Sequence, residues 1–334
     1  MSKIFLYADA SSKIGFGHVS RIASIAQALA SLGSDFLVLT SSQKGADYFE
    51  SLGIAFRKIA AECNRKSLAE QITPNSVLLI DSYSFGLREF DMLKECVRWL
   101  GWMDDFGVKP EGLDFCINAN IHASEDSSET LGLSYLAGPK YVLLNSEYWL
   151  KPVRKRKIEG RPSLLITAGG SDVMNLTPRI IRLGKASPVF GKILVVLGGG
   201  FQNRNEIEKE MEGDSRFSLR ENVNCLRATM EESDFAIAAA GSTMNELFYM
   251  RISSFGIAVA ENQLPLIKAY QKLGFLVSSS ALRDDFRSLD QEIIAFLKKI
   301  ESKEPLGPQF FDQIDGKGAI RIAKFLAERL SSTQ

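Results

Sequence analysis

Residues 4–21 read IFLYADASSKIGFGHVSR, an apolar run followed by a glycine-containing stretch and the start of a helical pattern that continues to Gly33. This order predicts a strand, a loop and a helix that ends at Gly33. Glycines in such a loop let the backbone approach a ligand, and the following helix directs free N–H groups toward it. His18, one of two histidines in the chain, stands at this helix N-terminus. An imidazole exchanges protons near neutral pH, so His18 is a candidate catalytic residue; a tight turn with a capping histidine is the alternative.

Length and charge limit the class of protein. A chain of 334 residues predicts two domains. Forty basic and forty acidic residues leave no net charge, so we expect no general attraction to nucleic acid or to an anionic membrane. No apolar run approaches the roughly 18 residues of a membrane span, and the segment around the first strand is too short for a signal peptide. We therefore expect a cytoplasmic monomer without stable membrane association.

The four cysteines, at positions 63, 96, 116 and 225, form no Cys-x-x-Cys pair. This scatter predicts free buried thiols in a reducing compartment. A zinc site would need clustered cysteines or histidines, and no Asp-x-Asp follows a predicted strand. We expect a metal-independent protein without a cofactor.

Short apolar runs alternate with helical patterns, which predicts an α/β fold with parallel sheets covered by helices. Runs such as Val77–Ile80 are continuously apolar, as strands buried on both faces are. The predicted strands are Ile4–Tyr7, Phe36–Thr40, Val77–Ile80, Trp99–Met103, Phe115–Ile117, Ser163–Thr167, Ile193–Leu197, Phe217–Leu219, Phe235–Ala239 and Ser254–Val259.

Residues 151–162 read KPVRKRKIEGRP, a polar and charged stretch bracketed by prolines that predicts a linker. A nucleic-acid-binding patch is the weaker alternative, because no aromatic residues interleave with the charges. We therefore predict two Rossmann-like domains facing across a cleft, 1–150 and 163–315, with a helix over 316–334 that crosses back to the first domain. In the second domain, we expect Thr177 to cap a helix whose first residue is Pro178.

Two further motifs follow predicted strands of the second domain. Residues 239–247 read AAGSTMNEL, and Thr243-x-x-Glu246 has the form of a capping box. The Glu246 carboxylate could instead accept hydrogen bonds from ribose, the interpretation we favour because of the next motif. Residues 259–263 read VAENQ, and the amides of Asn262 and Gln263 suit the polar edges of a base or sugar, with hydrogen bonding inside the loop as the alternative. A nucleotide fits the edge where these loops meet.

Taken together, the motifs resemble the UDP-2,4-diacetamido-2,4,6-trideoxy-β-L-altropyranose hydrolases of pseudaminic acid biosynthesis and the related spore-coat polysaccharide proteins. The resemblance runs almost end to end. The motifs that carry it are Asp9-Ala10-Ser11-Ser12, Gly15-Phe16-Gly17-His18 with Arg21, Ile80-Asp81-Ser82-Tyr83, Asp104-Asp105, Asn118-Ala119-Asn120, Gly138-Pro139-Lys140-Tyr141, Gly169-Gly170-Ser171-Asp172 with Asn175, Gly241-Ser242-Thr243 with Glu246, Asn262-Gln263 and Asp315-Gly316-x-Gly318.

The resemblance implies the GT-B fold of two-domain UDP-sugar glycosyltransferases. It also implies metal-independent hydrolysis of a UDP-linked diacetamido-trideoxy sugar, which is the one expected partner, with His18 as the catalytic residue and UDP on the second domain. The expected sugar-site residues are Asp9, Gly15, Gly17, Arg21, Asp81, Tyr83, Asp105 and Asn118. The expected UDP-site residues are Gly170, Ser171, Gly241, Ser242, Thr243, Glu246, Asn262 and Gln263.

One departure bears on the sugar. Asn145 stands where the family often has an arginine, so a bidentate donor for phosphate or a sugar carbonyl is missing. Two other functions stay open: a glycosyltransferase, in which an acceptor hydroxyl replaces water, and a non-catalytic nucleotide-sugar binding protein. Asp104-Asp105 has the alternative of plain turn residues. The second histidine, His122, lies in a polar stretch and is expected to be exposed and dispensable.

Overall fold

The structure is a computed structural model that describes residues 2–9, 17–60, 64–107, 111–124, 134–151, 153, 158–201, 203–221, 223, 225–273, 276–280, 286–304, 306 and 313–332. By its internal contacts the chain divides into two compact units. The first comprises residues 1–150 with 315–334, and the second comprises residues 151–314. The C-terminal segment therefore packs with the N-terminal half, as the sequence predicts.

The first unit contains a parallel seven-stranded sheet in the order β3-β2-β1-β4-β5-β6-β7. Its strands are β1 (Ile4–Ala8), β2 (Phe36–Thr40), β3 (Phe56–Lys58), β4 (Val77–Asp81), β5 (Trp99–Met103), β6 (Phe115–Asn118) and β7 (Ser134–Ala137). Its helices are α1 (Gly17–Ser31), α2 (Gln43–Ser51), α3 (Asn64–Ala69), α4 (Leu87–Lys94), α5 (Ser146–Leu150) and, from the C-terminal segment, α12 (Gly318–Ser331).

Helix α1 is buried along the face that its apolar spacing predicts. Val19, Ile22 and Leu29 are inaccessible to solvent and pack in the core of the first unit. Gly33 follows the helix with φ 67°, and the N–H of Ser34 reaches back to the carbonyl of Leu29 at 3.1 Å, which closes the helix end in the usual C-terminal manner. The buried start of α1 fixes the position of His18 beside the carboxyl end of the sheet.

Helix α12 completes this core. Ile322 and Leu326 are fully buried in the same cluster as the α1 side chains. Phe325 meets Phe115 of β6 with ring centroids 5.2 Å apart. The apolar face of α12 thus packs in the core of the first unit, which confirms that the C-terminal helix crosses back to that unit.

The second unit contains a parallel six-stranded sheet in the order β10-β9-β8-β11-β12-β13. Its strands are β8 (Ser163–Thr167), β9 (Lys192–Leu197), β10 (Phe217–Glu221), β11 (Phe235–Ala239), β12 (Ser253–Ala258) and β13 (Leu276–Ser280). Its helices are α6 (Leu176–Ala186), α7 (Arg204–Met211), α8 (Arg227–Glu231), α9 (Thr243–Tyr249), α10 (Leu264–Lys272) and α11 (Phe286–Glu301). The α/β fold class with two Rossmann-like units is confirmed.

All ten predicted strands are present, with ends that shift by two residues or fewer. Three further strands, β3, β7 and β13, were not predicted. Each is short or polar: β3 reads FRK and β13 reads LVSSS. All three lie at sheet edges, where one side lacks a neighbouring strand, and β3 and β13 lack the continuous apolar run of central strands.

The helix after β8 starts earlier than predicted. Helix α6 begins at Leu176, preceded by Asn175 with φ 50°. Thr177 is therefore a buried helical residue rather than the cap, and Pro178 is the third helical residue rather than the first. Asp172 caps the helix instead, because its carboxylate accepts the N–H groups of Leu176 and Thr177 at 2.8 Å each. Such charge-assisted bonds are stronger than those a hydroxyl would make.

Other sequence expectations concern thiols, membranes and metals. Cys116 is buried, whereas Cys96 and Cys225 are partly exposed, and no disulfide joins these three cysteines to one another; Cys63 lies outside the described residues. No helix within the described ranges is both long enough and apolar enough to span a membrane. The same part of the chain contains no group of three or more histidine, cysteine or acidic side chains placed to hold a metal ion.

Candidate active site

The order of the first sheet reverses direction between β1 and β4. In open parallel sheets, ligands bind outside the carboxyl ends of the strands at such a reversal. Asp81 is the last residue of β4, and His18 is the second residue of α1, which follows β1 in the chain. The topology therefore brings together two side chains that are 63 positions apart in the sequence.

His18 and Asp81 form a buried pair. The imidazole Nδ1 contacts Oδ1 of Asp81, and the two residues are 3% and 0% exposed. A carboxylate only accepts hydrogen bonds, so Nδ1 donates, and the neutral ring carries its lone pair on Nε2. Nη2 of Arg21 lies 3.3 Å from the same nitrogen, but Nδ1 gives its proton to Asp81 and accepts no bond from the guanidinium. Asp81 thus orients the ring with Nε2 as its basic nitrogen.

Arg21, one turn further along α1, holds Asp81 in place. Its Nε and Nη2 donate to the two carboxylate oxygens of Asp81 at 2.9 and 2.7 Å, and its Nη1 donates to Asp105 at 2.6 Å. Burial alone would lower the pKa of Arg21, but Asp81 and Asp105 hold that pKa well above its usual range. Two carboxylates and one guanidinium leave one net negative charge beside His18.

Asp105 lies on the loop after β5 and is surrounded by donors. Arg21, Tyr83 (2.6 Å) and Asn120 (3.0 Å) all donate to its carboxylate. Burial would raise the pKa of Asp105, but the Arg21 guanidinium and these three hydrogen bonds hold it well below its usual range. Asp105 therefore stays ionised near neutral pH and is a poor proton acceptor.

Asp9 occupies a separate cluster at the end of β1. Its carboxylate accepts from the Tyr7 hydroxyl (2.6 Å), from the hydroxyl and the N–H of Ser41, and from the Ser82 hydroxyl (3.4 Å). These contacts tie together the ends of β1, β2 and β4. A sugar hydroxyl that bound Asp9 would compete with these donors, so the arrangement favours a structural role.

The other predicted sugar-site residues are less directly placed. Asn118 is buried, and its side-chain oxygen accepts the N–H and the side-chain amide of Asn120 at 3.2 and 2.9 Å. It therefore supports Asn120, which contacts Asp105 and which the sequence argument did not select. Gly17 is the exposed first residue of α1, and Gly15 lies outside the described residues. His122 is exposed, as predicted.

The aspartate before Asp105 has its own role. Asp104 is 1% exposed, and its carboxylate accepts the N–H of Phe106 at 2.8 Å and the hydroxyl of Tyr135 at 3.2 Å. Burial, together with the Asp104 carboxylate, raises the pKa of Tyr135 to about 12, so this hydroxyl stays protonated and donates. Asp104 therefore shapes the turn that presents Asp105 and Phe106.

In the second sheet the order reverses between β8 and β11. The predicted UDP-site residues follow β8, β11 and the neighbouring strand β12, so their loops share one edge of this sheet. Gly170, Ser171, Ser242 and Asn262 are exposed, whereas Gly241, Thr243, Glu246 and Gln263 are half-buried.

For Thr243 and Gln263 the sequence also allowed a structural role, as a helix cap and in a bond inside the loop. The N-cap of α9 is Ser242, which makes no side-chain capping bond, and Thr243 is the first helical residue. The capping box with Thr243 as N-cap is therefore wrong. Gln263 makes a bond inside its loop, because its Oε1 accepts the N–H of Val259 at 2.9 Å. Asn262 on the adjacent position remains exposed.

The loop after β8 packs backbone to backbone on the loop after β9. The N–H of Gly200 donates to the carbonyl of Gly170 at 2.9 Å. A Cβ atom added at Gly198 would lie 2.5 Å from the Cα and 2.6 Å from the carbonyl oxygen of Gly170. Only glycine allows this approach, which fixes the position of Gly170. The sequence argument did not select this second loop, although the run of three glycines at 198–200 was a visible signal.

Replacing Gly198 with alanine should lower the free energy of unfolding by about 1–3 kcal/mol, because backbone rather than a flexible side chain must move. Chemical denaturation monitored by circular dichroism measures this change. Gly184→Ala is the matched control: its Cβ would meet side chains at 3.7–3.8 Å within α6, so it should be neutral or stabilising. Equal stability of Gly198→Ala and the wild type would contradict the packing argument.

The departure at position 145 has a local explanation. Asn145 stands just before α5, and its side-chain oxygen accepts the N–H of Glu147 at 3.0 Å. Asparagine is among the preferred residues at a helix N-terminus. The residue thus stabilises the start of α5, whereas an arginine could not accept that bond.

No protein-family model matches the chain. Among curated proteins, the chain is 24% identical over 269 residues to an uncharacterized protein of Methanocaldococcus jannaschii, with 75% of this chain and 54% of that protein covered. It is 23% identical to a UDP-2,4-diacetamido-2,4,6-trideoxy-β-L-altropyranose hydrolase of Campylobacter jejuni, with 82% and 98% covered. It is 22% identical to a spore coat polysaccharide biosynthesis protein of Bacillus subtilis, with 57% of each covered. The chain thus spans a little over half the length of the archaeal and Bacillus relatives.

Solved structures show the fold. MurG of Acinetobacter baumannii matches with a TM-score of 0.64 and 12% identity, over 98% of this chain and 100% of that one. A calicheamicin glycosyltransferase matches with a TM-score of 0.64 and 12% identity, over 99% and 98%. The fold is that of the GT-B glycosyltransferases, and the curated relatives confirm the resemblance to the UDP-sugar hydrolase and spore-coat proteins.

Proposed function

We propose that the protein hydrolyses a UDP-linked 2,4-diacetamido-2,4,6-trideoxy sugar and releases UDP and the free sugar, a precursor for nonulosonic acids of the pseudaminic type. The observation that carries this proposal is the buried Asp81–His18 pair at the reversal point of the first sheet. The curated Campylobacter relative, named as such a hydrolase, covers most of the chain and supports the choice of substrate.

In the proposed reaction, Nε2 of His18 takes a proton from water while the water oxygen forms a bond to the anomeric carbon. The bond between that carbon and the diphosphate oxygen breaks, and UDP leaves with the electron pair. The protonated ring is then an imidazolium beside Asp81. Because the group of Asp81, Asp105 and Arg21 carries one net negative charge, it stabilises this state. General-base catalysis of this kind contributes roughly 10²–10⁴-fold.

The geometry favours His18 over the two aspartates that the sequence placed near it. The carboxylate of Asp9 already accepts from Tyr7, Ser41 and Ser82. Asp105 has a pKa well below its usual range. The carboxylate of Asp9 is engaged by its donors, and that of Asp105 is a poor proton acceptor, so His18 is the better candidate base.

For UDP, we propose the edge formed by the loops after β8, β11 and β12. The N-terminus of α6 is already occupied by the Asp172 carboxylate, and an anion there would meet a negative charge. The N–H of Gly241 already donates to the carbonyl of Ala239 at 2.9 Å. We therefore place the diphosphate against the backbone of Gly170, Ser242 and Thr243, with the uridine near Glu246 and Asn262. Loop N–H groups of this kind hold phosphate in many α/β proteins.

Glu246→Gln should weaken UDP binding, because a charge-assisted bond to the ribose hydroxyls becomes a neutral one. The expected loss is on the order of 1.5–3 kcal/mol, measured by titration calorimetry with UDP. Glu208→Gln on α7, whose side chain is half exposed, is the control and should not change UDP affinity. If Glu246→Gln instead lowers the melting temperature and leaves UDP affinity intact, Glu246 is a structural residue.

The proposed function is tested by incubating the protein with the UDP-diacetamido-trideoxy sugar and no acceptor. We expect stoichiometric UDP and free sugar, detected by mass spectrometry. UDP release that requires an added acceptor would indicate a glycosyltransferase instead. Binding without any turnover would indicate a nucleotide-sugar binding protein.

A further inference from the structure

Two exposed aromatic rings stand beside the candidate catalytic residue. Within the described ranges, the exposed aromatic side chains are Tyr83 and Phe106, at 39% and 59%. Their ring centroids lie 5.3 Å apart, and the ring of Tyr83 meets that of His18 at 4.4 Å and 82°. Exposure thus increases from the buried imidazole through Tyr83 to Phe106. Exposed apolar groups gathered beside a polar cluster are typical of a binding surface.

Two neighbouring carboxylates hold the backbone at Phe106 and the hydroxyl of Tyr83. The N–H of Phe106 donates to Asp104, which is 1% exposed and also accepts from Tyr135. The hydroxyl of Tyr83 donates to Asp105 at 2.6 Å. The ring of Tyr83, held at its hydroxyl, loses little conformational entropy when a ligand binds to it.

The polar groups next to the rings are already engaged with one another. One oxygen of Asp105 accepts from Arg21 and Asn120, and the other accepts from Tyr83. The amide of Asn120 also donates to Asn118 at 2.9 Å. Among the described residues, a ligand at this place therefore meets aromatic faces beside polar groups that already have partners.

We propose that Phe106, together with Tyr83, forms an aromatic platform for the apolar face and the methyl groups of the sugar, and that Phe106 determines specificity for deoxy, N-acetylated sugars. A methyl group that packs on a ring is favourable, whereas a hydroxyl in its place would lose water without gaining a partner. This inference rests on the proposed function, because it assumes that the sugar is bound next to His18.

The test compares two substrates, UDP-2,4-diacetamido-2,4,6-trideoxyhexose and UDP-N-acetylglucosamine. For each we would measure kcat/KM with the wild type, Phe106→Ala and Phe106→Tyr. The preference for the trideoxy sugar should fall by about 10-fold or more in Phe106→Ala, the size expected for lost apolar contacts in a specificity pocket, and should be kept in Phe106→Tyr. Leu32→Ala removes an exposed apolar side chain just past the opposite end of α1 and should leave the preference unchanged.

An unchanged preference in Phe106→Ala would overturn the platform, whether or not the melting temperature falls. If the wild type releases UDP from neither substrate, the proposed function fails. The aromatic platform is then tested by measuring binding affinities instead of turnover. In that case Phe106→Ala should weaken the affinity for the UDP-trideoxyhexose about 10-fold and leave the affinity for UDP unchanged. Equal effects on both ligands, or no effect on either, would overturn the platform independently of catalysis.

Discussion

His18→Ala is expected to lower kcat for UDP release by at least about 10²-fold while KM changes little, because the variant binds substrate but lacks the base. Nε2 of His18 is the nitrogen left available when Nδ1 is engaged by Asp81. His18→Asn should be nearly as inactive, since an amide keeps one hydrogen bond and accepts no proton. Steady-state kinetics of UDP release measure both variants.

The control for this prediction is the second histidine. His122 is exposed on the turn after β6, and His122→Ala should retain wild-type kcat. Circular dichroism should show that all three variants are folded. Wild-type turnover by a folded His18→Ala protein would exclude His18 as the base.

Asp81→Asn should lower kcat by about 10²–10⁴-fold, although Asp81 is not expected to touch the substrate. An asparagine amide can donate to Nδ1, which would place the ring proton on Nε2 and remove the lone pair that accepts the proton of water. The buried aspartate that orients the histidine of serine proteases shows an effect of about 10⁴-fold on the same substitution. Kinetics of UDP release would measure the loss.

A structural role of Asp81 predicts a different outcome. The substitution also removes one charged partner of Arg21, so the melting temperature of Asp81→Asn should fall. If Asp81 acts on the ring, kcat falls at temperatures well below melting and the affinity for UDP stays unchanged. Wild-type kcat in the folded variant, or a matching loss of UDP affinity, would contradict the positioning role.

Much of the fold could be predicted from local sequence patterns. The strand, loop and helix of residues 4–33 follow from apolar spacing and from a glycine at the helix end, and the structure has the same order. Strands β3 and β13 escaped prediction because edge strands carry charged or serine-rich sequences. The start of α6 was predicted wrongly, because the cap is the carboxylate of Asp172, four residues before Leu176. The sequence argument considered only the nearest hydroxyl, that of Thr177.

The sequence predicted which residues form the candidate site, but not what each of them does there. His18, Arg21, Asp81, Tyr83 and Asp105 were all selected, and the structure brings them together. The sequence does not reveal which of the acidic residues orients His18, because the pairing with Asp81 depends on β4 lying next to β1 in the sheet. It likewise does not reveal that Asp9 is engaged by donors from β1 and from the loops after β2 and β4.

Hydrolysis of the UDP-diacetamido-trideoxy sugar in water enriched in ¹⁸O tests the central claim most directly. If water attacks the anomeric carbon, mass spectrometry will find one ¹⁸O in the free sugar and none in UDP, with unlabelled free sugar in the same water as the exchange control. Label in the nucleotide would mean that a phosphorus–oxygen bond is cleaved. That result, or no UDP release without an acceptor, would contradict the account.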